Sequence, residues 1–405
     1  MMNILEVREG FIKFEVSKKV SLSSFIQIND ALKSYIAQVV LVKKAGERNI
    51  VYAKILFLYN GMLQPYDNSA PSQNSEILEF EFDNISQIFE SKNSVTLGTF
   101  IDTDCDININ KDVFDKGALI CIDSPEHIEQ FISNVSLQFE QSVIIDTTGH
   151  FDCPKYIAGT DFNLPLNTDA LEFLYEDCLN DATSESKDLI KEIFQELSDY
   201  SKTVPFLPFG TLKSIVDDMV EKSHIFKLLV LKNKLAKFDK MKYFAQTAKE
   251  SENLDQILSQ KHVVIDLSGL DTIFLNRYLT VIYAALEKQN PNTQLFVNAS
   301  NSVDKRNLKK LFMGKLSVTF ATHSGFKYLN EIKSFFETYI VEPSFNANNI
   351  FKAHAMLLNA MNKSNFLVVG KGTENIPIIF NLKDKIEETE TCKVESRPVY
   401  RYSDR

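Results

Sequence analysis

The sequence predicts an α/β fold with a mostly parallel sheet flanked by helices, preceded by a small β-barrel and interrupted by a helical insertion. Two observations lead to this prediction. Over the first hundred residues, short strand-like runs recur without helices between them, which is typical of a small barrel. From about Val95 onward, buried strand-like runs alternate with helical patterns. That alternation predicts parallel strands joined by crossover helices.

The N-terminal β-rich part consists of alternating or apolar runs separated by turn-forming segments. The runs are Phe11–Val16, Ser24–Ile28, Ser34–Lys43, Val51–Leu58 and Ile77–Phe82. The segments between them contain Gly, Asn, Pro and Ser, which favour turns. We therefore assign residues 1–95 to a β-barrel domain.

The α/β core is predicted to comprise residues 96–167 and 253–383. Its strand-like runs are Ala118–Ile122, Ser142–Asp146, Val263–Leu267, Gln294–Val297, Ser317–Ala321 and Thr338–Val341, with Phe366–Val369 and Ile376–Phe380 as a closing pair. Residues 168–252 are predicted to be a helical insertion. Within it, Ile190, Ile193, Phe194 and Leu197 have the i, i+3, i+4, i+7 spacing of an apolar helix face. Residues 384–405 read as a polar C-terminal tail.

Composition narrows the classes of function. The 405 residues are 44% hydrophobic and 24% charged, which is typical of a globular protein. Apolar runs such as Ile50–Tyr59 are shorter than the roughly 18 residues that span a membrane, and the start of the sequence lacks a signal-peptide pattern. Five widely spaced cysteines predict reduced thiols and a cytoplasmic protein. The net charge of −10 argues against a general nucleic-acid-coating protein but leaves a local basic surface open.

The most informative segment is Ala118–Ile132, which has the layout of a strand, a tight loop and a helix. P-loop proteins place nucleotide phosphates at such a loop, with the motif Gly-x-x-x-x-Gly-Lys-Ser/Thr. The eight aligned positions are Asp123, Ser124, Pro125, Glu126, His127, Ile128, Glu129 and Gln130. Asp123 and Ile128 stand in the glycine positions. Glu129 stands in the lysine position, and Gln130 in that of the magnesium-binding hydroxyl.

These replacements reverse the electrostatics of the loop. Asp123, Glu126 and Glu129 are negative where phosphates require positive charge. Two like charges about 4 Å apart at an effective dielectric constant near 20 repel each other by roughly 4 kcal/mol. Taken alone, this segment is better explained by an ordinary strand–turn–helix that is unrelated to a P-loop.

The order of segments along nearly the whole chain resembles the HerA/FtsK family of P-loop ATPases. In that family a small HAS-type barrel precedes the ATPase core, as the β-rich first hundred residues do here. The turn in Ile144–Asp152 (Ile-Ile-Asp-Thr-Thr-Gly-His-Phe-Asp) is similar to the Asp-x-x-Gly-Glu-like turn of HerA-like proteins, and a helical insertion follows. The strand Val264–Leu270 resembles the family's Ile-Asp-Leu-Ser segment. The resemblance implies a RecA-like P-loop NTPase core.

The same resemblance identifies further site positions. Asn298 stands where the Walker B aspartate directs magnesium, and Ala299 where the catalytic glutamate belongs. His323 takes the glutamine place of the sensor strand. Arg277 or Arg306 is a candidate arginine finger acting on a neighbouring active subunit.

The resemblance therefore implies a catalytically degenerate ATPase subunit or adaptor associated with DNA processing or translocation. Neither ATP nor Mg is expected as a cofactor. The expected partners are other copies of the chain or different subunits, such as an active ATPase or a nuclease, and nucleic acid remains open. One alternative is an active ATP-dependent DNA translocase or helicase with an atypical nucleotide site that binds ATP and Mg. Another is a ligand- or partner-binding module.

Other charged clusters predict no metal site. In the acidic stretch from Asp102 to Asp112, Ile107 and Val113 stand where an EF-hand loop needs Gly and Glu, so the alternation with Ile109 favours an edge strand. The histidines lack metal-ligand spacing. Two basic clusters favour a solvated helix face over contact with DNA phosphates. They are Lys227, Lys232, Lys234, Lys237, Lys240 and Lys242, and Lys305, Arg306, Lys309 and Lys310.

Overall fold

The computed structural model describes residues 2–8, 10–115, 117–166, 168–180, 182–204, 206–222 and 224–384. The described residues up to Gln138 and from Ser317 onward form one unit, and those from Phe139 to Leu316 form a second. The predicted tail from residue 385, including Cys392, lies outside the described residues. The predicted domain bounds remain a prediction.

Strands alternate with helices from residue 118 onward. The prediction placed the start of this alternation at about Val95, but the two strands there, Ser94–Phe100 and Asp106–Asn110, pair antiparallel with no helix between them. The strands are β1 (Asn3–Arg8), β2 (Phe11–Val16), β3 (Phe25–Asn29), β4 (Ser34–Ala45), β5 (Arg48–Tyr59), β6 (Leu63–Pro65), β7 (Glu76–Phe80), β8 (Ser94–Phe100), β9 (Asp106–Asn110), β10 (Ala118–Cys121), β11 (Ser142–Asp146), β12 (Tyr156–Ile157), β13 (His262–Asp266), β14 (Gln294–Asn298), β15 (Val318–Thr322), β16 (Thr338–Val341), β17 (Asn365–Gly370) and β18 (Ile378–Asn381).

The helices are concentrated between residues 168 and 313. In chain order they are α1 (Phe82–Ser86), α2 (Asp112–Asp115), α3 (Pro125–Ser136), α4 (Thr168–Asn180), α5 (Ser184–Ser201), α6 (Phe209–Glu221), α7 (Leu229–Lys240), α8 (Ala248–Leu258), α9 (Thr272–Gln289), α10 (Lys305–Met313), α11 (Leu329–Ile332), α12 (Phe345–Ile350) and α13 (Ala355–Ala360). Within the described ranges, no helix is both long and apolar enough to cross a membrane.

The first unit begins with a seven-stranded antiparallel sheet. Its strand order is β1-β2-β5-β4-β3-β7, and β6 pairs with β5. Alternate residues such as Ile12, Phe14, Val39 and Val51 are fully buried on one face and form an apolar core. The predicted β-rich N-terminal part is therefore confirmed, whereas its closure into a HAS-type barrel remains a prediction.

The rest of the first unit is built around β10. Strands β15 and β16 flank β10 in parallel, and the order continues antiparallel through β17, β18, β8 and β9. Every residue of β10 is buried, as expected for a parallel strand covered on both faces. The predicted closing pair is β17 and β18. Strand β9 is the last of the order, with Ile107 and Ile109 buried, which confirms the predicted edge strand.

The second unit contains the parallel strands β12, β13, β11 and β14 in that order. Asp146 at the end of β11 is level with Asp266 of β13 and with Asn298 of β14. Helices α4 to α8 lie between β12 and β13 along the chain, and the predicted apolar face of α5 is buried. The predicted α/β class with mostly parallel strands and flanking helices is confirmed.

We predict that Gly370→Ala destabilises the protein more than Gly46→Ala does. Both glycines have positive φ, 117° and 64°. A Cβ on Gly370 would lie 2.1 Å from the backbone oxygen of Glu337, whereas nothing lies within 4 Å at Gly46. The strained backbone costs about 1 kcal/mol at each site, and the clash adds about 2 kcal/mol at Gly370. Chemical denaturation measures both losses, and equal values would contradict the prediction.

Candidate functional site

The loop between β10 and α3 is only three residues long. It consists of Ile122, Asp123 and Ser124, and α3 begins at Pro125. The hydroxyl of Ser124 caps the helix by accepting a hydrogen bond from the His127 N–H (3.3 Å), and proline suits the first helical position because it has no N–H to satisfy. Of the eight positions aligned with a P-loop, residues 125–130 are therefore helical.

The N–H groups of this loop bind a carboxylate from the chain itself. Glu342 directly follows β16, the parallel neighbour of β10. Its Oε2 accepts hydrogen bonds from the N–H groups of Asp123 (2.6 Å) and Ser124 (2.9 Å), and its Oε1 lies 2.7 Å from His127 Nδ1. Glu342 is only 8% exposed. Helix N-termini attract anions because their N–H groups are unsatisfied and partially positive. Here the anion is Glu342.

Asp123 is fixed on the other side of the loop. Its two carboxylate oxygens accept hydrogen bonds from the N–H (2.6 Å) and the hydroxyl (2.7 Å) of Ser324. Burial, together with the charges of Asp123 and Glu342, raises the pKa of the Cys121 thiol, so this thiol stays protonated. His323 Nδ1 accepts a hydrogen bond from the Gly325 N–H (3.1 Å). The loop thus holds two carboxylates that are already hydrogen-bonded.

The positions aligned with the P-loop lysine and hydroxyl lie in the second turn of α3. Glu129 is buried, with 6% of its surface exposed, and Ile128 beside it is also buried. The Gln130 side-chain amide donates to the backbone oxygen of Lys383 (2.6 Å). Gln130 therefore fixes the chain after β18.

In the second unit, Asn298 belongs to a buried hydrogen-bond network. Its amide donates to Asp146 Oδ1 (3.1 Å) and to Thr148 Oγ1 (2.8 Å). Asp146 Oδ1 also accepts from the N–H and the hydroxyl of Thr148, and Asp146 Oδ2 accepts from the Phe151 N–H. Asn298 and Ala299 are each 1% exposed. The network satisfies both oxygens of a fully buried carboxylate.

An ion pair lies at the end of the neighbouring strand β13. Lys155 Nζ is 2.9 Å from Asp266 Oδ2, and Asp266 Oδ1 accepts from the Ser268 N–H (2.8 Å). Burial raises the pKa of Asp266, but the hydrogen bonds from Ser268 and Lys155 outweigh it, so the pKa is lowered. Burial likewise lowers the pKa of Lys155, yet the hydrogen bond and charge of Asp266 raise it overall. Both groups therefore remain charged near neutral pH.

The two candidate arginine fingers meet at one carboxylate. Arg277 on α9 and Arg306 on α10 lie 3.4 and 3.6 Å from Glu176 Oε2 on α4. All three line a cavity of about 950 Å³ bounded by α4, α8, α9 and α10. Arg306 is largely exposed, with 65% of its side chain accessible, whereas Arg277 is 25% exposed.

The first basic cluster is partly used in ion pairs. Lys234 Nζ lies 2.7 Å from Asp177 Oδ2, and Lys232 contacts Asp217 and Glu221. Lys237 and Lys240 are exposed, as predicted for a solvated helix face, whereas Lys232 and Lys234 are largely buried in these pairs. In the part of the chain that the structure describes, no group of three or more His, Cys, Asp or Glu side chains is arranged to hold a metal ion.

Sequence reasoning missed Glu342, Ser324 and Lys155. Glu342 and Ser324 come directly after β16 and shortly after β15, the two strands that flank β10. A polar residue at the carboxyl end of a parallel strand was the available signal, because such ends meet at the same edge of a sheet. Lys155 carries no comparable signal.

Comparisons with known proteins gave structural matches alone. No family model matches the sequence, and no curated protein matches it. The chain is similar to the plasmid coupling protein TrwB in complex with GDPNP, with 10% identity over 75% of this chain and 93% of that chain and a TM-score of 0.49. For TrwB with ADP and Mg²⁺ the values are 11%, 76%, 93% and 0.48. For the genome packaging NTPase B204 of Sulfolobus turreted icosahedral virus 2 with AMPPCP they are 10%, 68%, 100% and 0.35.

We predict that Lys155→Met lowers the free energy of unfolding by about 2–3 kcal/mol, because it leaves the Asp266 carboxylate with fewer partners. The matched control is Lys202→Met, which removes an exposed pair with Asp199 and costs about 0.5 kcal/mol or less. The pKa of Asp266 is lower in the folded protein than in the unfolded chain. The charged Asp266 therefore stabilises the fold above the ordinary pKa of aspartate, and this contribution is lost as the pH falls through the folded-state pKa. The Lys155→Met effect should therefore shrink in acid. Denaturant titrations at pH 7 and in acid measure it, and an effect that grows on acidification would contradict the prediction.

Proposed function

We propose that this chain is a non-catalytic protein of the HerA/FtsK ATPase type that serves as a subunit or adaptor in DNA processing or translocation. The observation that carries the proposal is the Glu342 carboxylate on the N–H groups of Asp123 and Ser124. In an active P-loop, such N–H groups and a lysine hold the phosphates of the nucleotide. Here an internal carboxylate has taken the N–H groups.

Charge makes exchange of this carboxylate for a nucleotide unfavourable. An incoming phosphate would have to displace Glu342, which is also bonded to His127. It would then lie near Asp123 and Glu126, whose repulsion amounts to several kcal/mol at contact distance. No lysine occupies the aligned position to offset this repulsion, because Glu129 stands there.

The metal position supports the same proposal. Magnesium prefers carboxylate oxygens, and Asn298 offers a neutral amide in place of the Walker B aspartate. That amide is engaged with Asp146 and Thr148. A metal would have to break a buried network whose hydrogen bonds are already satisfied.

The binding surfaces of the core support an adaptor role. A core that lacks nucleotide chemistry still provides surfaces, and function resides in such surfaces and sites on a fold. We infer that the partners are other copies of the chain, an active ATPase or a nuclease, acting on nucleic acid. The cavity beside Arg277 and Arg306 favours a ligand-binding module as the second candidate function.

We predict that the protein binds Mg-ATP with a dissociation constant weaker than about 1 mM, which corresponds to about −4 kcal/mol. Glu342→Ala should strengthen ATP binding because it frees two N–H donors, whereas Glu337→Ala, which removes an exposed carboxylate before β16, should not.

Glu129→Lys alone should produce no hydrolysis, because Asn298 remains. Calorimetry and a phosphate-release assay measure these effects. Micromolar affinity in the unmodified protein, or steady ATP turnover, would refute the proposal.

We also predict that the protein self-associates or joins a larger assembly, because a core without nucleotide chemistry can still act through the surfaces that bind partners. Light scattering over a concentration series measures the mass of the purified protein. Affinity purification from the native cell then identifies what accompanies it. A strict monomer that carries neither an ATPase nor a nuclease would contradict the adaptor role.

A further inference from the structure

The N-terminal sheet has a polar face opposite its apolar core. On β2 and β5 the buried core residues alternate with residues of the other face, as the pleat requires. Strand β4 adds residues to the same face at its C-terminal half. We call this surface the basic face, and its residues are Phe11, Lys13, Leu41, Lys43, Ile50, Tyr52 and Lys54.

Tyr52 lies at the centre of the basic face. In the strand register Tyr52 is level with Lys13 of β2 and with Leu41 of β4. The ammonium groups of Lys13 and Lys43 are each 5.7 Å from the centre of the Tyr52 ring. Phe11, in register with Lys54, is 41% exposed. Two aromatic rings therefore lie among three lysines on one side of a sheet.

The charge of this surface is opposite to that of the whole chain. Glu6 pairs with Arg8, and Glu15 pairs with Arg48, so these four charges cancel. The excess on the surface is that of Lys13, Lys43 and Lys54. The whole chain has a net charge of −10, so the basic face is a local concentration of positive charge. Burial and the charge of Lys54 lower the pKa of His354, which therefore adds no charge at neutral pH.

We propose that the basic face binds single-stranded nucleic acid. Flexible lysines suit the phosphates of a strand. Aromatic rings, here the exposed Phe11 and the half-buried Tyr52, suit stacking with its bases. Three strands spaced by about 4.8 Å give a surface wide enough for two or three nucleotides. An acidic peptide would satisfy the lysines but would leave Tyr52 and Phe11 without a stacking partner. This inference rests on the proposed function for nucleic acid as a partner and deepens it by naming the surface and the strand type, whereas its test does not depend on the nucleotide loop.

The test is fluorescence anisotropy with a labelled oligonucleotide of twenty deoxythymidines at low salt. The full chain should bind it, with a log–log salt slope of about −2, since three phosphate contacts contribute roughly −0.7 each. The double variant Lys13→Glu/Lys43→Glu should raise the dissociation constant at least about tenfold. Tyr52→Ala should raise it about fivefold, and Tyr52→Phe should preserve binding because it keeps the stacking ring.

The matched control is Lys237→Glu/Lys240→Glu, which makes the same charge change at exposed lysines of α7. Control and test variants should have the same circular dichroism spectrum. The proposal is overturned if the control loses as much affinity as the basic-face variant, or if the chain does not bind the oligonucleotide. It is also overturned if polyglutamate competes as well as the oligonucleotide, which would assign the face to an acidic peptide. ATP titration examines a different part of the chain, so either proposal can fail alone.

Discussion

The backbone N–H groups at the start of α3 need hydrogen-bond acceptors, and this need determines which side chains surround the loop between β10 and α3. A helix that starts at the edge of a sheet presents N–H groups that need acceptors. Ser124 satisfies one of these groups, and Pro125 has none to satisfy. Glu342 takes the donors that precede the helix. Because β16 carries Glu342 to this point, the pairing of β10 with β16 and the capping of α3 support each other.

A buried carboxylate that accepts hydrogen bonds also lies at the strand ends of the second unit. Asp146 is fully buried, and a buried carboxylate is stable only with several hydrogen-bond donors. Asn298, Thr148 and Phe151 supply these donors. An aspartate at position 298 would instead place a second carboxylate against the first. The amide therefore suits this position, because it donates a hydrogen bond to the buried Asp146 carboxylate.

Much of the fold was predictable because buried parallel strands are short apolar runs, as in β10 and β11. The i, i+3, i+4, i+7 pattern of α5 was equally readable. The strand order β1-β2-β5-β4-β3-β7 was not, since it depends on pairing between strands that are distant in sequence. The site was predictable only in its strand–loop–helix layout. A motif alignment places Glu129 near a phosphate position, but Ser124 and Pro125 start the helix earlier. Glu342 is 219 residues from Asp123, and no local pattern connects them.

Because Glu342 is attached to a strand beside the loop, it rebinds to the loop faster than a free ligand would. A free ligand leaves its site at a rate set by its affinity and returns at a rate set by its concentration. A side chain on an adjacent strand returns at once, because its effective concentration is that of an intramolecular partner. The loop between β10 and α3 therefore regains its internal carboxylate after any brief opening faster than a dilute external anion could enter.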